Sequence, residues 1–402
     1  MPHQIDPSCS FTEGGDCLAK DAFGVHREAQ VLAKRGNENA QTEEIYVHFN
    51  GFDKRWDRWT NAGQARKFRK HYAKIRKEEK SEKEDVDDKR PRPKRQLDDH
   101  QLTLSEVEEK IRDQHEQRTR IKNIQLVHFG EWELETWYYS PYPEEVQHEK
   151  KLFVCDRCFY YCNGERRMRA HLHICKLMAP PGRKIYAEGN ITIFEVNADT
   201  EDPVVKTYTQ CLCLFSKLFM DNKTIYFDLR EYSFYVLCQS DSSGNLRPAG
   251  YFSKQKMEPQ HNLSCLVVFP AYFRHGYGLL LIQLSYELSR REGLIAGPEK
   301  PLSELGLASY RRYWSWMVID LLRSMTDRQT IGIDEICVRL GIIDEDVRDT
   351  VFDLDLIDPK RDDAISTIST RQLDDLSEKK AKKPSLLLNP KLLKWRGNGK
   401  KT

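Results

Sequence analysis

The apolar positions fall into blocks of different period. In residues 20–65 they alternate: Ala29 and Val31 beside Leu32, then the run Ile45-Tyr46-Val47-His48-Phe49, then an Asn50-Gly51 turn. A period of two over short runs marks half-buried strands, so this block predicts a small β-rich module closed by Trp56 and Trp59. Across residues 66–120 charge displaces the pattern, and helical spacing returns around Leu104–Arg118. From 121 to 322 strand-like and helix-like runs alternate. Residues 328–358 read as two helices, TIGIDEICVRL and DEDVRDTVFDLDLI, with Gly341 between them. Two short helices across a glycine turn predict a helix-turn-helix packing unit. The tail from 372 is basic, contains proline and carries LLKW near its end, and no internal repeat is present.

Composition changes this picture in three ways. With 402 residues the chain has room for two or three domains, each with its own core. Charged residues make up 31% and the mean hydropathy is −0.70, so the surface is strongly polar. The formal net charge of +2 is uninformative, but residues 61–95 hold 14 Lys/Arg against 7 Asp/Glu. Such a run is either a solvated linker or one that also touches nucleic-acid phosphates, from which basic side chains release counterions. The N-terminus lacks the basic-then-apolar pattern of a secretory leader, and no apolar run approaches about 18 residues, so an intracellular chain that spans no membrane is expected. Its 11 cysteines are then thiols, ligands or catalytic groups rather than disulfides.

One cysteine group has ligand spacing. Cys155, Cys158, His171 and Cys175 form C-x2-C-x12-H-x3-C. Two thiolates on a tight turn, with a His and a Cys one helical turn apart, supply a tetrahedral set suited to Zn²⁺. The stretch ERRMRAHLHIC reads as a helix placing His171 and Cys175 on one face. Cys162 reads as a small buried filler, and His173 falls on another helix face. Arg166, Arg167 and Arg169 invite a DNA-reading role, but one isolated finger reads too few base pairs, so zinc is expected to staple the fold.

A second constellation concerns anions. Leu263-Ser264-Cys265-Leu266-Val267-Val268-Phe269-Pro270 reads as a strand ended by proline. It runs through Ala271-Tyr272-Phe273-Arg274-His275-Gly276-Tyr277-Gly278 into an apolar helix, LLLIQLSYELSRREG. Strand, basic glycine-containing loop and helix make a phosphate cradle, because free N–H groups and the positive end of the helix dipole face the ligand.

From Ile121 onward the chain resembles the MYST acetyltransferases, and among them the males-absent-on-the-first branch. The stretches that carry the resemblance are TWYYSPYPEE (136–145), PPGRKIY (180–186), ITIFEVN (191–197), SKLFMDNKTIYFD (216–228), GYFSKQK (250–256), YELSRREG (286–293), GPEKPLSELGLASYRRYWSW (297–316) and the closing LLKW. The resemblance covers about residues 121–396, strongly to 322, and includes the zinc spacing. It implies an α+β fold with a GNAT-like acetyl-CoA-binding core (185–322), an N-terminal zinc finger subdomain (150–178) and a C-terminal helix-turn-helix subdomain (328–358). It further implies an acetyl-CoA-dependent lysine acetyltransferase of core histone tails, nuclear, and part of a multiprotein complex on nucleosomes.

Residue roles follow from the same resemblance. Glu299 matches the family's catalytic glutamate. A lysine ε-amine has a pKa near about 10.4 and must lose a proton before it attacks a thioester, which Glu299 would accept. Cys265 matches the active-site cysteine, which either carries the acetyl group or lines the pocket. Lys223 matches the lysine that the family autoacetylates. Backbone groups of Leu266, Val267 and Val268 would meet the acetyl-pantetheine arm, Arg274, His275, Gly276, Tyr277 and Gly278 would wrap the pyrophosphate, and Ser303 would hydrogen-bond the cofactor. The sequence departs from the family at Phe273 (usually Gln), Leu279 (usually basic), Arg312 and Gly297 (each usually Ser). Loss of polar groups at Phe273 and Leu279 predicts weaker cofactor binding. One lost hydrogen bond to a charged phosphate costs about 1.5–3 kcal/mol, roughly 10- to 150-fold in affinity. A catalytically weakened paralogue that binds chromatin is the corresponding alternative.

Residues 20–65 resemble the chromo-barrel (tudor-knot) of this branch through HREAQVLAKR, EEIYVHFNGF and RWDRWT. Such barrels hold methylated lysines in an aromatic cage by cation–π attraction or bind nucleic acid through basic loops, and Tyr46, Phe49, Trp56 and Trp59 are the cage candidates.

Overall fold

Alternation along the first block does produce strands. In a computed structural model of the chain, which describes residues 11–21, 24–36, 43–67, 119–147, 149–221, 228–325, 330–358, 361–366, 370–395 and 397, two units are separately compact. The expected linker helix at Leu104–Arg118, most of the basic run 61–95 and Lys223 lie outside the described residues. In the first unit β1 (Asp16–Lys20), β2 (His26–Arg35), β3 (Glu44–Phe49), β4 (Arg58–Asn61) and β5 (Arg66–Lys67) form an open antiparallel sheet in the order β4-β3-β2-β1-β5. A register shift between Val31 and Ala33 bends β2, as a bulge does, and Cys17, Ala29, Val31, Ile45, Val47 and Phe49 fill the concave side.

The second unit opens with a four-stranded sheet in the order β7-β6-β8-β9, made of β6 (Leu126–Phe129), β7 (Trp132–Glu135), β8 (Lys151–Val154) and β9 (Tyr161–Cys162). Helix α1 (Glu144–Gln147) lies between β7 and β8 in the chain, and α2 (Glu165–Ile174) follows β9. The central sheet is antiparallel and ordered β10-β11-β12-β13-β15: β10 (Arg183–Glu188), β11 (Ile191–Asn197), β12 (Tyr232–Ser240), β13 (Leu246–Gln255) and β15 (Cys265–Val268). Helix α3 (Pro203–Lys217) connects β11 to β12. It starts where the sequence dictates, with Asp202 accepting from the Val204 N–H at 2.8 Å and Pro203 in the first turn. Between β13 and β15 the short β14 (His261–Leu263) pairs in parallel with β16 (Gly297–Pro298) instead of with the main sheet.

Helix α4 (Tyr277–Glu292) buries residues on nearly every side, as its apolar run predicts, and Gly293 at φ 72° closes it. Leu280, Leu281, Leu284 and Leu288 pack on the central sheet with Ile193, Leu237 and Phe252. Helix α5 (Glu304–Arg323) covers α4 and carries the C-terminal subdomain. There β17 (Thr330–Gly332), α6 (Ile333–Leu340), α7 (Asp344–Asp353), β18 (Ile357–Asp358), β19 (Arg361–Ser366) and α8 (Thr370–Lys379) surround a core of Tyr310, Tyr313, Trp314, Ile336, Val347 and Val351. Gly341, at φ 69°, caps α6, so the glycine turn between the two expected helices is real.

The tail, basic and proline-containing in sequence, packs along the core of the second unit. Leu386, Leu388, Leu393 and Trp395 pack into the core under α4. Gln283 of α4 donates to the Leu386 carbonyl at 2.9 Å and accepts from the Leu388 N–H at 3.0 Å. The Arg291 guanidinium donates to the carbonyls of Pro390, Leu393 and Trp395 at 2.6, 2.9 and 3.2 Å. In this strap Leu393 and Trp395 are buried, Leu386 and Leu388 are partly buried, and Leu387 and Leu392 are exposed.

Candidate active site

The site is built around a change of sheet. The chain runs along β14, paired with β16, and crosses at Ser264, whose N–H donates to the Ser253 carbonyl at 2.8 Å. It then continues as β15 against β13. Glu299 follows β16 directly, and its N–H donates to the Leu263 carbonyl at 2.8 Å. The backbone of Glu299 therefore stands beside the residue that begins the crossing, two positions ahead of Cys265. The Glu299 side chain is exposed and Cys265 half-buried.

Among the described residues β15 is the last strand of its sheet, so one edge carries unpaired backbone groups. Register says which ones. Phe269 N–H donates to the Ala249 carbonyl at 2.9 Å, and the pairs run Gly250↔Val268, Tyr251↔Val267, Phe252↔Leu266 and Ser253↔Cys265. Antiparallel pairs alternate between bonded and non-bonded, so Val267 is spent on Tyr251 while Leu266 and Val268 turn their N–H and C=O outward. Of the three residues expected to meet the acyl arm, two keep free backbone groups and Val267 does not. Close approach of the strands requires Gly250, where a Cβ would stand 2.5 Å from the Val267 carbonyl oxygen.

Beyond Phe269 a 3-10 turn (Pro270–Tyr272) leads to two left-handed residues, Arg274 (φ 65°) and Gly276 (φ 80°). The helix begins at Tyr277, so Gly278 lies within its first turn. Leu280 N–H is the first to reach a helical acceptor, the Gly276 carbonyl at 3.1 Å. The N–H groups of Tyr277, Gly278 and Leu279 thus have no partner within the helix and form the anion-facing end of α4. The Tyr277 hydroxyl is turned away, donating to Gln239 Oε1 at 2.8 Å, so only its backbone serves the cradle. His275 places Nδ1 2.9 Å from the Phe273 carbonyl and stacks on Tyr277. A Cβ on Gly276 would meet Ser385 Oγ at 2.9 Å, so the strap forms the wall behind the cradle.

The departures at the loop fall in different places. Phe273 is 40% exposed. Leu279 is half-buried and packs against the helical core around Tyr310 and Tyr313. Which way a helical residue faces depends on how α5 docks, and the sequence does not carry that. Arg312 is exposed, its Nε 3.5 Å from the Lys382 carbonyl of the strap. Ser303 is the N-cap of α5: its hydroxyl accepts from the Gly306 N–H at 3.1 Å, which leaves its own proton available for donation.

The metal group converges. Ligand atoms of Cys155, Cys158, His171 and Cys175 all lie within 4.8 Å of one another, and Cys158 Sγ is 3.2 Å from His171 Nε2. Three thiols and an imidazole at this separation fit a tetrahedral Zn²⁺. The hydrogen bond between Cys155 and Cys158 lowers the pKa of the Cys155 thiol and raises that of Cys158. Cys162 is buried and donates to the Gly164 carbonyl, and His173 is exposed, so neither belongs to the set.

A residue that the motif does not reveal links this centre to the cradle. Phe159, next to Cys158, is held at φ 61° and is fully buried. Its ring lies 5.5 Å from those of Tyr208 and Phe215 and 5.7 Å from Phe269, while Phe129 stacks on Phe215 at 4.5 Å. Asp156 adds an ion pair to Arg247 of β13 at 2.8 Å.

In the first unit the cage candidates do not share one face. Phe49 points into the core, whereas Tyr46, an odd number of residues away, points to the other side and meets Trp59 at 5.3 Å. The Arg35 guanidinium already covers Trp59 at 4.1 Å, and Arg27 covers Phe52 at 4.8 Å.

Comparison with known proteins agrees with this geometry. The MOZ/SAS family model matches residues 179–393, the MYST family zinc finger domain matches 121–175, and the RNA binding activity-knot of a chromodomain matches 11–67. Histone acetyltransferase MOF of Drosophila melanogaster is 39% identical over 294 residues, 73% of this chain and 35% of that protein. Histone acetyltransferase of the MYST family 2 from Arabidopsis thaliana is 36% identical over 361 residues, 87% of this chain and 78% of its own length. Histone acetyltransferase mst1 of Schizosaccharomyces pombe is 39% identical over 268 residues, 66% of this chain and 56% of that protein. The chain thus spans about a third of the fly protein and more than three quarters of the plant one. No helix among the described residues is long and apolar enough to cross a membrane.

Proposed function

The chain belongs to the MYST (MOZ/SAS) family of acetyltransferases, and from that premise we propose that it acetylates lysines of core histone tails in the nucleus, with Glu299 as the general base. Acetyl-CoA is the acyl donor and the Cys₃His group holds structural zinc. In the proposed step Glu299 takes a proton from the lysine ammonium. The freed amine attacks the thioester carbonyl, a C–N bond forms and the C–S bond breaks, and the second proton lost from the nitrogen as the amide forms passes to the departing coenzyme A thiolate.

The observation that carries this reading is the hydrogen bond from Glu299 N–H to the Leu263 carbonyl beside the split between β14 and β15. It tethers a solvent-accessible carboxylate to the strand whose next residues bear Cys265 and the open edge. The pantetheine arm pairs with Leu266 and Val268, the diphosphate sits on the amides from His275 to Leu279, and Ser303 donates its hydroxyl proton to the cofactor. Cys265 lines the acyl pocket, and Lys223 is the self-acetylated residue. Subunits of a multiprotein complex present the nucleosome.

A catalytically weakened chromatin-binding paralogue is not favoured, since the MOZ/SAS model matches and the similar proteins are histone acetyltransferases. Nor is a DNA-reading helix-turn-helix. Helices α6 and α7 carry seven Asp/Glu against two Arg, which repels phosphate. Glu299→Gln tests the central claim: it should bind acetyl-CoA as the parent does and lose acetyl transfer to a histone-tail peptide. Parental turnover in that variant would remove Glu299 from the role of base.

A further inference from the structure

The four residues Gly297-Pro298-Glu299-Lys300 are gripped at both ends by one carboxylate. Asp346, on α7, is 1% exposed. Its Oδ1 lies 3.0 Å from Lys300 Nζ, and the same ammonium reaches Glu345 Oε2 at 2.7 Å. Its Oδ2 has no hydrogen-bond donor among the described residues and lies 3.0 Å from where a Cβ on Gly297 would stand. Ile343 closes the same space, its Cδ1 2.8 Å from that point. Only glycine lets β16 come this close to α7, and only a cation at Lys300 compensates a carboxylate buried this deeply. Glu299, between the two contacts, is exposed and makes its backbone bond to Leu263 on the opposite side.

We infer that Asp346 is a positioning residue for the acetyl transfer, acting through Lys300 to fix the loop that presents Glu299. The inference rests on the reading of Glu299 as base. Two physical effects combine. The ion pair to a helix removes freedom from a loop otherwise held by β16 and the Glu299–Leu263 backbone bond, and general-base catalysis depends on placement at the scale of an ångström. The pair also keeps the Lys300 ammonium on α7. Released, that ammonium would be free to pair with the adjacent Glu299 carboxylate, which stabilises the ionised form and weakens it as a base. The acids of the helix-turn-helix thereby acquire a purpose that nucleic-acid binding does not give them.

The test uses the full chain with Lys300→Gln, Lys300→Arg, Asp346→Asn and, in parallel, Glu299→Gln. Lys300 is part-exposed at 38%, and because Lys300→Gln leaves the buried Asp346 without its cation, the melting temperature is read beside the rate and Lys300→Arg serves as the control that keeps the pair. Measured are kcat and KM on a core-histone tail peptide, acetyl-CoA affinity by titration calorimetry, and the melting temperature. Lys300→Gln and Asp346→Asn should lower kcat on the order of 10- to 100-fold with KM and acetyl-CoA affinity unchanged, and Lys300→Arg should recover most of the rate. Parental kcat in Lys300→Gln overturns the inference. So does a parallel fall in kcat, acetyl-CoA affinity and melting temperature that Lys300→Arg fails to rescue, because that is the signature of packing alone. An inactive Glu299→Gln beside a fully active Lys300→Gln would sink the positioning role only, whereas an active Glu299→Gln sinks the base assignment itself.

Discussion

Truncating Phe159 to alanine tests whether the zinc knuckle supports the cofactor loop or merely decorates it. The ring is fully buried and packs against Phe215, Phe269 and Tyr208. Removing a buried Phe typically costs about 3–5 kcal/mol, from lost transfer energy and the cavity left behind. For a unit of this size that corresponds to a fall in melting temperature of roughly 6–20 °C. Three features fix what else should happen. The zinc ligands are untouched, so metal content should stay at one ion per chain. Phe269 is the residue between the open strand edge and the cradle, so acetyl-CoA affinity should drop along with stability. Backbone strain is separable from the ring, because Phe159 sits at φ 61°. Left-handed geometry costs an L-residue about 1–2 kcal/mol, so Phe159→Gly should be less damaging than Phe159→Ala despite removing more atoms. Scanning calorimetry of the full chain, zinc analysis and acetyl-CoA titration read these separately. An alanine variant melting within about 2 °C of the parent would refute the reasoning, since a buried ring in that cluster cannot be so cheap to remove.

Two further outcomes are expected. Gly276→Ala forces a Cβ to 2.9 Å from Ser385 Oγ at a residue with φ 80°, so it should weaken acetyl-CoA binding at least tenfold, or about 1.4 kcal/mol, measured by the same titration. In the first unit, burial pushes the Asp57 carboxyl up to about 6 against the opposing hydrogen bond with His48. A folded-state pKa above the unfolded one means that the native state binds the extra proton, so Asp57 should make this unit more stable as pH falls from about 6 towards 4 and less stable above. Carbon NMR of the Asp57 carboxyl should show a midpoint near 6, and a midpoint in the ordinary carboxylate range near about 4 would contradict it.

What could be read in the sequence follows from how local the information is. The zinc ligands declare themselves because two short spacings and one helical turn fix their geometry, and α4 declares itself by an apolar run ended at Gly293. The period-two run around Val47 likewise gives a strand with the right face inward. Glu299 and Cys265 are different, since nothing in a Glu-Lys-Pro loop or a strand cysteine distinguishes chemistry from surface or core, and only the resemblance singled them out. Asp346 and Phe159 were invisible for a further reason. Each acts across a contact between segments far apart in the chain, and an acid on a helix or an aromatic after a cysteine carries no local mark of that contact. The same blindness explains Leu279, whose packing involves α5, and the tail, where no local mark separates the buried Leu393 and Trp395 from the exposed Leu387 and Leu392.

The supports of the site are thereby divided among elements that do not share residues. Phe159 and Asp156 brace β13 and the end of β15 from the zinc knuckle. The strap stands behind Gly276, held to α4 by Gln283 and Arg291. Asp346 grips the Glu299 loop from α7. This division has a consequence for how the enzyme can be damaged. Loss of the knuckle or the strap acts on the cofactor and should appear as affinity, whereas loss of the α7 contact acts on the base and should appear as turnover. On this proposal a cradle built of backbone amides would tolerate Phe273 and Leu279 for the same reason that it would depend on Gly250 and Gly276: its donors belong to the main chain, and what limits it is how closely the surrounding backbone can approach.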